Sequence, residues 1–318
     1  MPLSLKNLLQ VQYLHLDADE VLGLPIHALK GVSPADAIHL DDAFGIKNIE
    51  DLAKNQFFHR AYDILKIADD KSYDAGPPLG WDTFFASAPL SFYENHPADR
   101  FRLDFGPVYY RGRLNGTARV LVVGQDPSTD EILAHRAFVG SSGQRLQRYL
   151  NKIGINRSYL ILNTFLYSIY GQFDNTMEQI SLEPSILDYR NRLFDTVVRE
   201  NPIEAVITFG RAPAHAIDHW NNAQNLPVFN LVHPAADVGT AFPSWNAQLQ
   251  PLSNAVQADE PNLVDLTPYE GSWRRASHRA DIPRFDLPFG IPSWHGTNGT
   301  RSKRDPADRQ KQIVWKAI

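Results

Sequence analysis

The sequence contains no cysteine among its 318 residues. This absence excludes disulfide bridges, a thiolate nucleophile, cysteine-ligated zinc and cysteine-ligated iron-sulfur clusters. Hydrophobic residues make up 43% and charged residues 21% of the chain. This composition is typical of a globular protein and not of a disordered or fibrous one.

Long apolar segments are also absent. The longest apolar runs, such as 120–124 and 159–162, have the length of strands and are far shorter than the roughly 20 residues of a membrane-spanning helix. Residues 1–20 mix leucine with polar and charged residues, and they show neither the apolar stretch nor the cleavage site of a signal peptide. We therefore expect a cytoplasmic protein that does not bind membranes, and we expect it to be a monomer.

The formal net charge of −5 conceals an asymmetry along the chain. Residues 271–318 contain ten Lys and Arg against four Asp and Glu, so the rest of the chain is strongly acidic. A basic extension could follow the phosphates of a nucleic acid or could simply be a solvated tail, and the charges fit both interpretations equally. The basic residues of this segment include Arg274, Arg275, Arg279, Arg284, Arg301, Lys303, Arg304, Arg309 and Lys311.

Strand-like and helix-like segments alternate from residue 119 onward. Such alternation predicts a parallel sheet with helices on both faces. We therefore predict an α/β fold, a three-layer α/β/α sandwich with a central, mainly parallel four-stranded sheet. The predicted strands are 119–124, 159–162, 205–209 and 228–232, and the predicted helices include 143–150, 185–200 and 212–220.

Three regions are predicted from these patterns. Residues 1–100 are mostly helical and rich in loops, with a break at Ala75-Gly76-Pro77-Pro78, and we expect them to pack as an extension on the core. Residues 101–255 form the catalytic core. Residues 256–318 form the basic extension.

Polar side chains follow the predicted strands where each strand ends. Gln125-Asp126 follows the first strand, Asn163 the second and His233 the fourth. In parallel sheets the carboxyl ends meet at one edge, where ligands bind. Three functional groups would therefore meet at this edge: a carboxylate, an amide that can both donate and accept, and an imidazole that can donate to an oxyanion. Each residue alone more often caps a turn or bonds a loop, but three at one edge favour a functional site.

A glycine-serine segment, Gly140-Ser141-Ser142-Gly143, opens a predicted helix. Its backbone N–H groups could bind a phosphate, and Phe138 just before it could stack on a base. The segment lacks the spacing of nucleotide-binding glycine loops, so a nucleotide-handling α/β protein is our last choice. His215 and His219 lack the intervening residues of a zinc-protease helix, and we predict no metal site.

The strand-end motifs resemble those of a known family. Gly124-Gln125-Asp126-Pro127, Leu162-Asn163 and His233-Pro234 are similar, in order and spacing, to the active-site segments of the uracil-DNA glycosylase superfamily, over roughly residues 119–240. The Gln-Asp-Pro turn resembles the common bacterial and eukaryotic enzymes. Asp130-Glu131 and the segment 136–144 resemble instead the branch that carries an iron-sulfur cluster, which a chain without cysteine cannot ligate.

The resemblance implies hydrolysis of the N-glycosidic bond of uracil in DNA, which leaves an abasic site for base excision repair, without a metal or cofactor. Asp126 would orient or activate water and stabilise the developing sugar cation. His233 would hydrogen-bond the O2 atom of the departing base. Asn163 would read the O4 and N3 edge of uracil, Phe138 would stack on the base, and Gln125 would contribute backbone contacts.

DNA contacts are implied for two further segments. Ser141, Ser142 and Gly143 would contact phosphate beside the lesion, and Pro234 and Ala235 would contact DNA from the loop after the fourth strand. The substrate would be uracil-containing DNA, single- or double-stranded.

Two positions depart from the family pattern. The common branch has a tyrosine after the Pro that blocks the thymine methyl group, whereas this chain has Ser128. The same branch inserts a leucine after His-Pro, whereas residues 235–238 lack leucine and contain Asp237, which would repel phosphates. A glycosylase for hypoxanthine or xanthine, and a protein that binds damaged DNA without cutting it, therefore remain alternatives.

Overall fold

The structure is a computed structural model that describes residues 5–61, 64, 73–78, 80–96, 100–291, 300–304 and 311–315. The chain divides into two compact units, Pro2–Ser72 and Tyr73–Ile318. Within the described residues, no helix is long and apolar enough to cross a membrane.

The first unit is helical. Its helices are α1 (Leu5–Leu8), α2 (Ala18–Leu22), α3 (Pro34–Phe44) and α4 (Ile49–Lys54). Capping residues fix where two of them begin: the Asp17 carboxylate accepts the Glu20 N–H at α2, and the Ser33 hydroxyl accepts the Asp36 N–H at α3. Its buried side chains include Leu9, Val21, Ile26 and Ile46.

A five-stranded sheet forms the centre of the second unit. The strands of the described residues are β1 (Phe101–Arg102), β2 (Arg111–Gly112), β3 (Val120–Gly124), β4 (Tyr159–Asn163), β5 (Ser168–Ile169), β6 (Ala205–Phe209), β7 (Val228–Leu231), β8 (Thr300–Arg304) and β9 (Lys311–Trp315). The central sheet has the order β2-β4-β3-β6-β7, with β3, β4, β6 and β7 parallel and β2 antiparallel to β4. Strand β2 was not predicted, because its two residues carry no apolar run that a sequence pattern could reveal.

Helices cover both faces of this sheet, and the α/β/α sandwich is confirmed. Along β3, Leu121 and Val123 join one core cluster while Val120 and Val122 join the other, as strand alternation requires. The helices of this unit are α5 (Trp81–Ala86), α6 (Leu90–Asn95), α7 (Thr129–Ala134), α8 (Ser141–Lys152), α9 (Asn175–Ser181), α10 (Pro184–Glu200), α11 (Arg211–Asp218) and α12 (Val238–Ala255). The first cluster includes side chains of α10, and the second includes side chains of α8 and α12.

The described part of the C-terminal region up to residue 291 contributes to the core. Asp286 is 1% exposed, accepts a hydrogen bond from the Tyr159 hydroxyl at 2.6 Å, and forms ion pairs with Arg111 and Arg113. Tyr269 and Trp273 belong to the second core cluster. Of the basic residues named above, Arg301, Lys303 and Arg304 lie in β8 and Lys311 in β9, whereas Arg309 lies outside the described residues.

Candidate active site

The carboxyl ends of four parallel strands form one edge of the sheet. In spatial order, this edge carries Asn163 at the end of β4, Gln125-Asp126 after β3, Gly210 after β6 and His233 after β7. Neighbouring strands lie about 4.8 Å apart, so β4 and β7 are separated by about 14 Å. The topology therefore brings the predicted carboxylate, amide and imidazole to one edge of the sheet.

The turn that carries Asp126 is fixed from two sides. The Phe165 N–H donates to the Gln125 carbonyl at 3.0 Å. The Asp126 carboxylate accepts the Ile169 N–H through Oδ2 at 2.9 Å and the Gln125 side-chain amide through Oδ1 at 2.9 Å. Asp126 is half-buried, and these contacts hold its carboxylate in one orientation at the end of β3.

The side chains of Asn163 and Phe138 both lie close to Gly124. A Cβ atom at Gly124 would lie 2.1 Å from Phe138 Cε2 and 2.6 Å from Asn163 Oδ1, so only glycine fits there. Asn163 is 4% exposed, and neither its Oδ1 nor its Nδ2 has a hydrogen-bond partner among the described residues. Leaving such a group unsatisfied costs about 1–3 kcal/mol, and both polar atoms of this amide are available to a ligand.

The backbone at Phe138 adopts a left-handed conformation, with φ of +52°. Such a conformation costs on the order of 1–3 kcal/mol for a bulky residue and persists only where neighbours hold it. Gly143 is the neighbour here: a Cβ atom at Gly143 would lie 1.7 Å from the Phe138 carbonyl oxygen. Gly143 is buried against Phe138, while Ser141 and Ser142 are half-buried in the same first turn of α8.

His233 is half-buried, and its Nδ1 accepts the Ala235 N–H at 3.1 Å. The proton of a neutral ring is therefore on Nε2, which becomes a hydrogen-bond donor. Burial, and then the charge of Arg145, lowers the pKa of His233, so the ring is neutral at pH 7. Gly210 lies beside it without a side chain and with φ of +99°, which leaves space next to the imidazole.

Glu131 is a site residue that the sequence analysis noted only as part of the resemblance. Its Oε2 accepts the Ser128 N–H at 3.0 Å and its Oε1 accepts the Gly140 N–H at 3.1 Å. The side chain thus ties the turn after Asp126 to the residue that precedes α8. Burial, and then the charge of Asp130, raises the pKa of Glu131 to about 7. The Ser-x-x-Glu spacing of a capping box was the available signal.

The remaining predicted residues lie near this edge with different exposures. Ser128 is exposed at the start of α7, and no large side chain follows the buried Pro127. Pro234 is buried and Ala235 is exposed. In the described part of the chain, no group of three or more His, Cys, Asp or Glu residues could hold a metal ion.

Comparison with known families identifies the class of this fold and site. Residues 111–241 match the model of the uracil DNA glycosylase superfamily, and the matched region contains all five strands of the central sheet and every predicted site residue. The match of this region supports membership of that superfamily, as its motifs predicted. Membership supports a DNA glycosylase, a hydrolase of base excision repair that binds DNA, in a superfamily whose members differ in base specificity. No curated protein matches the chain.

Proposed function

We propose that this protein is a DNA glycosylase that hydrolyses the N-glycosidic bond of uracil in DNA and leaves an abasic site. The observation that carries the proposal is the buried amide of Asn163, whose donor and acceptor are both unsatisfied beside the ring of Phe138. Uracil presents the complementary pair, an acceptor at O4 and a donor at N3. Binding an extruded uracil would satisfy both amide groups while Phe138 stacks on the base.

Asp126 and His233 divide the chemistry between the sugar and the base. As the bond between C1′ and N1 breaks, its electron pair moves to the base, and positive charge develops on the sugar. The Asp126 carboxylate stabilises that positive charge and orients a water, whose oxygen bonds to C1′. The proton that the water loses neutralises the base anion. His233 donates through Nε2–H to the O2 atom where the negative charge grows.

The His233 interaction strengthens as the anion forms and therefore acts on the rate. One preorganised donor to a developing oxyanion is worth roughly 3–4 kcal/mol. A neutral imidazole performs this role, and its tautomer is set by the Ala235 N–H. Every step is assigned to side chains and water, so the proposal includes no metal or cofactor.

DNA is held around this pocket by the start of α8 and by the loop after β7. We assign phosphate contacts to Ser141, Ser142 and Gly143, the last through its backbone. Pro234 and Ala235 face the DNA from the other side. Extruding a base costs a few kcal/mol and stacking returns roughly 1–3 kcal/mol, so phosphate contacts must supply the rest.

Asp126→Asn tests the catalytic assignment. We expect uracil release under single-turnover conditions to slow by roughly two orders of magnitude or more, because a neutral amide cannot stabilise the sugar cation. The fold should remain intact, since Asn keeps one acceptor for the Ile169 N–H. Asp188→Asn, an exposed position on α10, is the matched control. Release by Asp126→Asn near the unmodified rate would remove Asp126 from the mechanism.

The exposed Ser128 favours a second candidate within the same class. Because no bulky side chain follows Pro127, the site has no tyrosine there to exclude larger bases, and hypoxanthine or xanthine could be the preferred substrate. A panel of oligonucleotides carrying uracil, thymine, hypoxanthine or xanthine decides between them. Activity confined to a purine would overturn the uracil assignment, and salt-sensitive binding of damaged DNA without base release would establish a non-catalytic binder.

A further inference from the structure

Two arginines are held together beside the loop that carries His233. Arg145 of α8 donates to the Pro234 carbonyl, and its guanidinium carbon lies 4.7 Å from the centre of the Trp273 ring. Arg279 donates through Nε to the Trp273 carbonyl at 3.2 Å. Trp273 in turn donates through Nε1 to the Ala236 carbonyl at 3.1 Å. Trp273, a residue of the C-terminal region, thus contacts both arginines and the loop after β7.

Arg145 and Arg279 differ from Arg148, the second arginine of α8. Arg148 forms an ion pair with Asp265 at 2.7 Å, whereas neither Arg145 nor Arg279 has a carboxylate partner among the described residues. Burial and the like charge of Arg279 lower the pKa of Arg145 to about 10. Two guanidinium groups that are near each other without a carboxylate form a site for an anion.

We propose that Arg145 and Arg279 together bind one phosphate of the substrate DNA strand, next to the nucleotide whose base is released. Guanidinium groups present planar sets of donors that match phosphate oxygens. The two arginines adjoin Pro234 and the His233 imidazole, which we assign to the O2 atom of the base. A phosphate of the same DNA strand is therefore the anion that reaches them. The inference rests on the proposed function and adds Arg279, which lies beyond position 241, where the family match ends.

The salt dependence of DNA binding tests this site without requiring base release. Binding of an undamaged oligonucleotide is measured by fluorescence anisotropy at several salt concentrations for the full-length protein and for Arg279→Gln, Arg279→Lys and Arg145→Gln. Each lost phosphate contact should reduce the slope of log K against log salt by about one. We expect that reduction for both Gln variants, and we expect Arg279→Lys to keep the slope because it keeps the charge.

The double variant makes the prediction sharper. If both arginines hold the same phosphate, Arg145→Gln with Arg279→Gln should reduce the slope by about one and not by two. Arg199→Ala is the control, because Arg199 lies near the end of α10, just before β6 begins, and hence at the opposite edge of the sheet. It removes the same charge and should leave the slope unchanged.

Separate outcomes overturn the site and the proposed function. An unchanged slope in Arg279→Gln, or an equal reduction in Arg199→Ala, would show that the pair binds no phosphate. A protein that releases no base from any oligonucleotide but shows the expected slopes would refute the activity and keep the site. Should Arg145→Gln fail to fold, the Arg279 variants and their control still decide.

Discussion

At the scale of single residues, the binding role that we propose for Asn163 carries a cost in stability. Its amide is buried, and both of its polar atoms lack partners among the described residues. A hydrophobic side chain of similar size would pack in the same space without that penalty. Such a residue is explained by a ligand and not by the fold, which is why we assign it to base recognition.

Asn163→Leu should separate these two roles. We expect the free energy of unfolding to rise by about 1–2 kcal/mol, because an unsatisfied buried amide is removed. Uracil release should become undetectable or fall at least about 100-fold, because the base edge then meets no partner. Urea unfolding and single-turnover release measure the two effects. A variant that is less stable than the parent would show that the amide is satisfied in the free protein.

His233→Ala isolates the contribution of the Nε2–H donor. We expect the limiting rate of uracil release to fall by roughly 10²–10³-fold, the usual effect of removing one donor to an oxyanion. The affinity for uracil-containing DNA should change little, because the negative charge on O2 develops only during the reaction. His219→Ala, an exposed histidine of the same protein, is the control. A loss confined to binding would contradict the role.

At the scale of elements, the sequence predicts the four parallel strands of the central sheet and, to within a residue, where each ends. The apolar runs of β3 and β4 are buried throughout, so their pattern is strong and their ends place Asp126 and Asn163 correctly. The contact of Gly143 with the Phe138 carbonyl could not be predicted, because it depends on how α8 meets the preceding turn in space. The same holds for β2, which is only two residues long.

Gly143→Ala tests whether the start of α8 holds Phe138 in place. The added Cβ would lie 1.7 Å from the Phe138 carbonyl oxygen, so the turn and the helix must separate. We expect a loss of about 1–3 kcal/mol in stability and at least a tenfold slower release of uracil, since the stacking ring moves with its backbone. Gly23→Ala, where the nearest atom would lie 3.9 Å from the added Cβ, should change neither property. Full activity in Gly143→Ala would contradict this account.

At the scale of the whole second unit, the C-terminal region contributes to the core and contacts the loop after β7. The buried carboxylate of Asp286 neutralises Arg111 of β2, whose side chain is 0% exposed. Trp273 supports the loop that follows His233. The sequence revealed only the positive charge of this region, because burial of Asp286 and packing of Trp273 depend on contacts with residues more than 30 positions away. The charge pattern alone left a solvated tail and a DNA contact equally open.

Glu131 should make the stability of the folded protein depend on pH, and replacing Glu131 by Gln should change that dependence. The folded protein holds the proton of Glu131 up to about pH 7, whereas an unfolded glutamate loses it near 4.5. The stabilisation that Glu131 contributes is therefore complete below about pH 4.5, and it is lost as the pH rises through about 7, by roughly 3 kcal/mol in all.

Three histidines have the opposite effect on stability. Burial lowers the pKa of His233, His215 and His278. Their neutral forms stabilise the fold above the ordinary histidine pKa of 6.5, and this stability is lost as the pH falls below that value. Urea unfolding of Glu131→Gln between pH 5 and 8 should consequently show stability rising with pH, while the unmodified protein shows a flatter or falling profile. Parallel profiles for the two proteins would mean that Glu131 is ionised in the fold, and that the Ser128 and Gly140 N–H groups outweigh its burial.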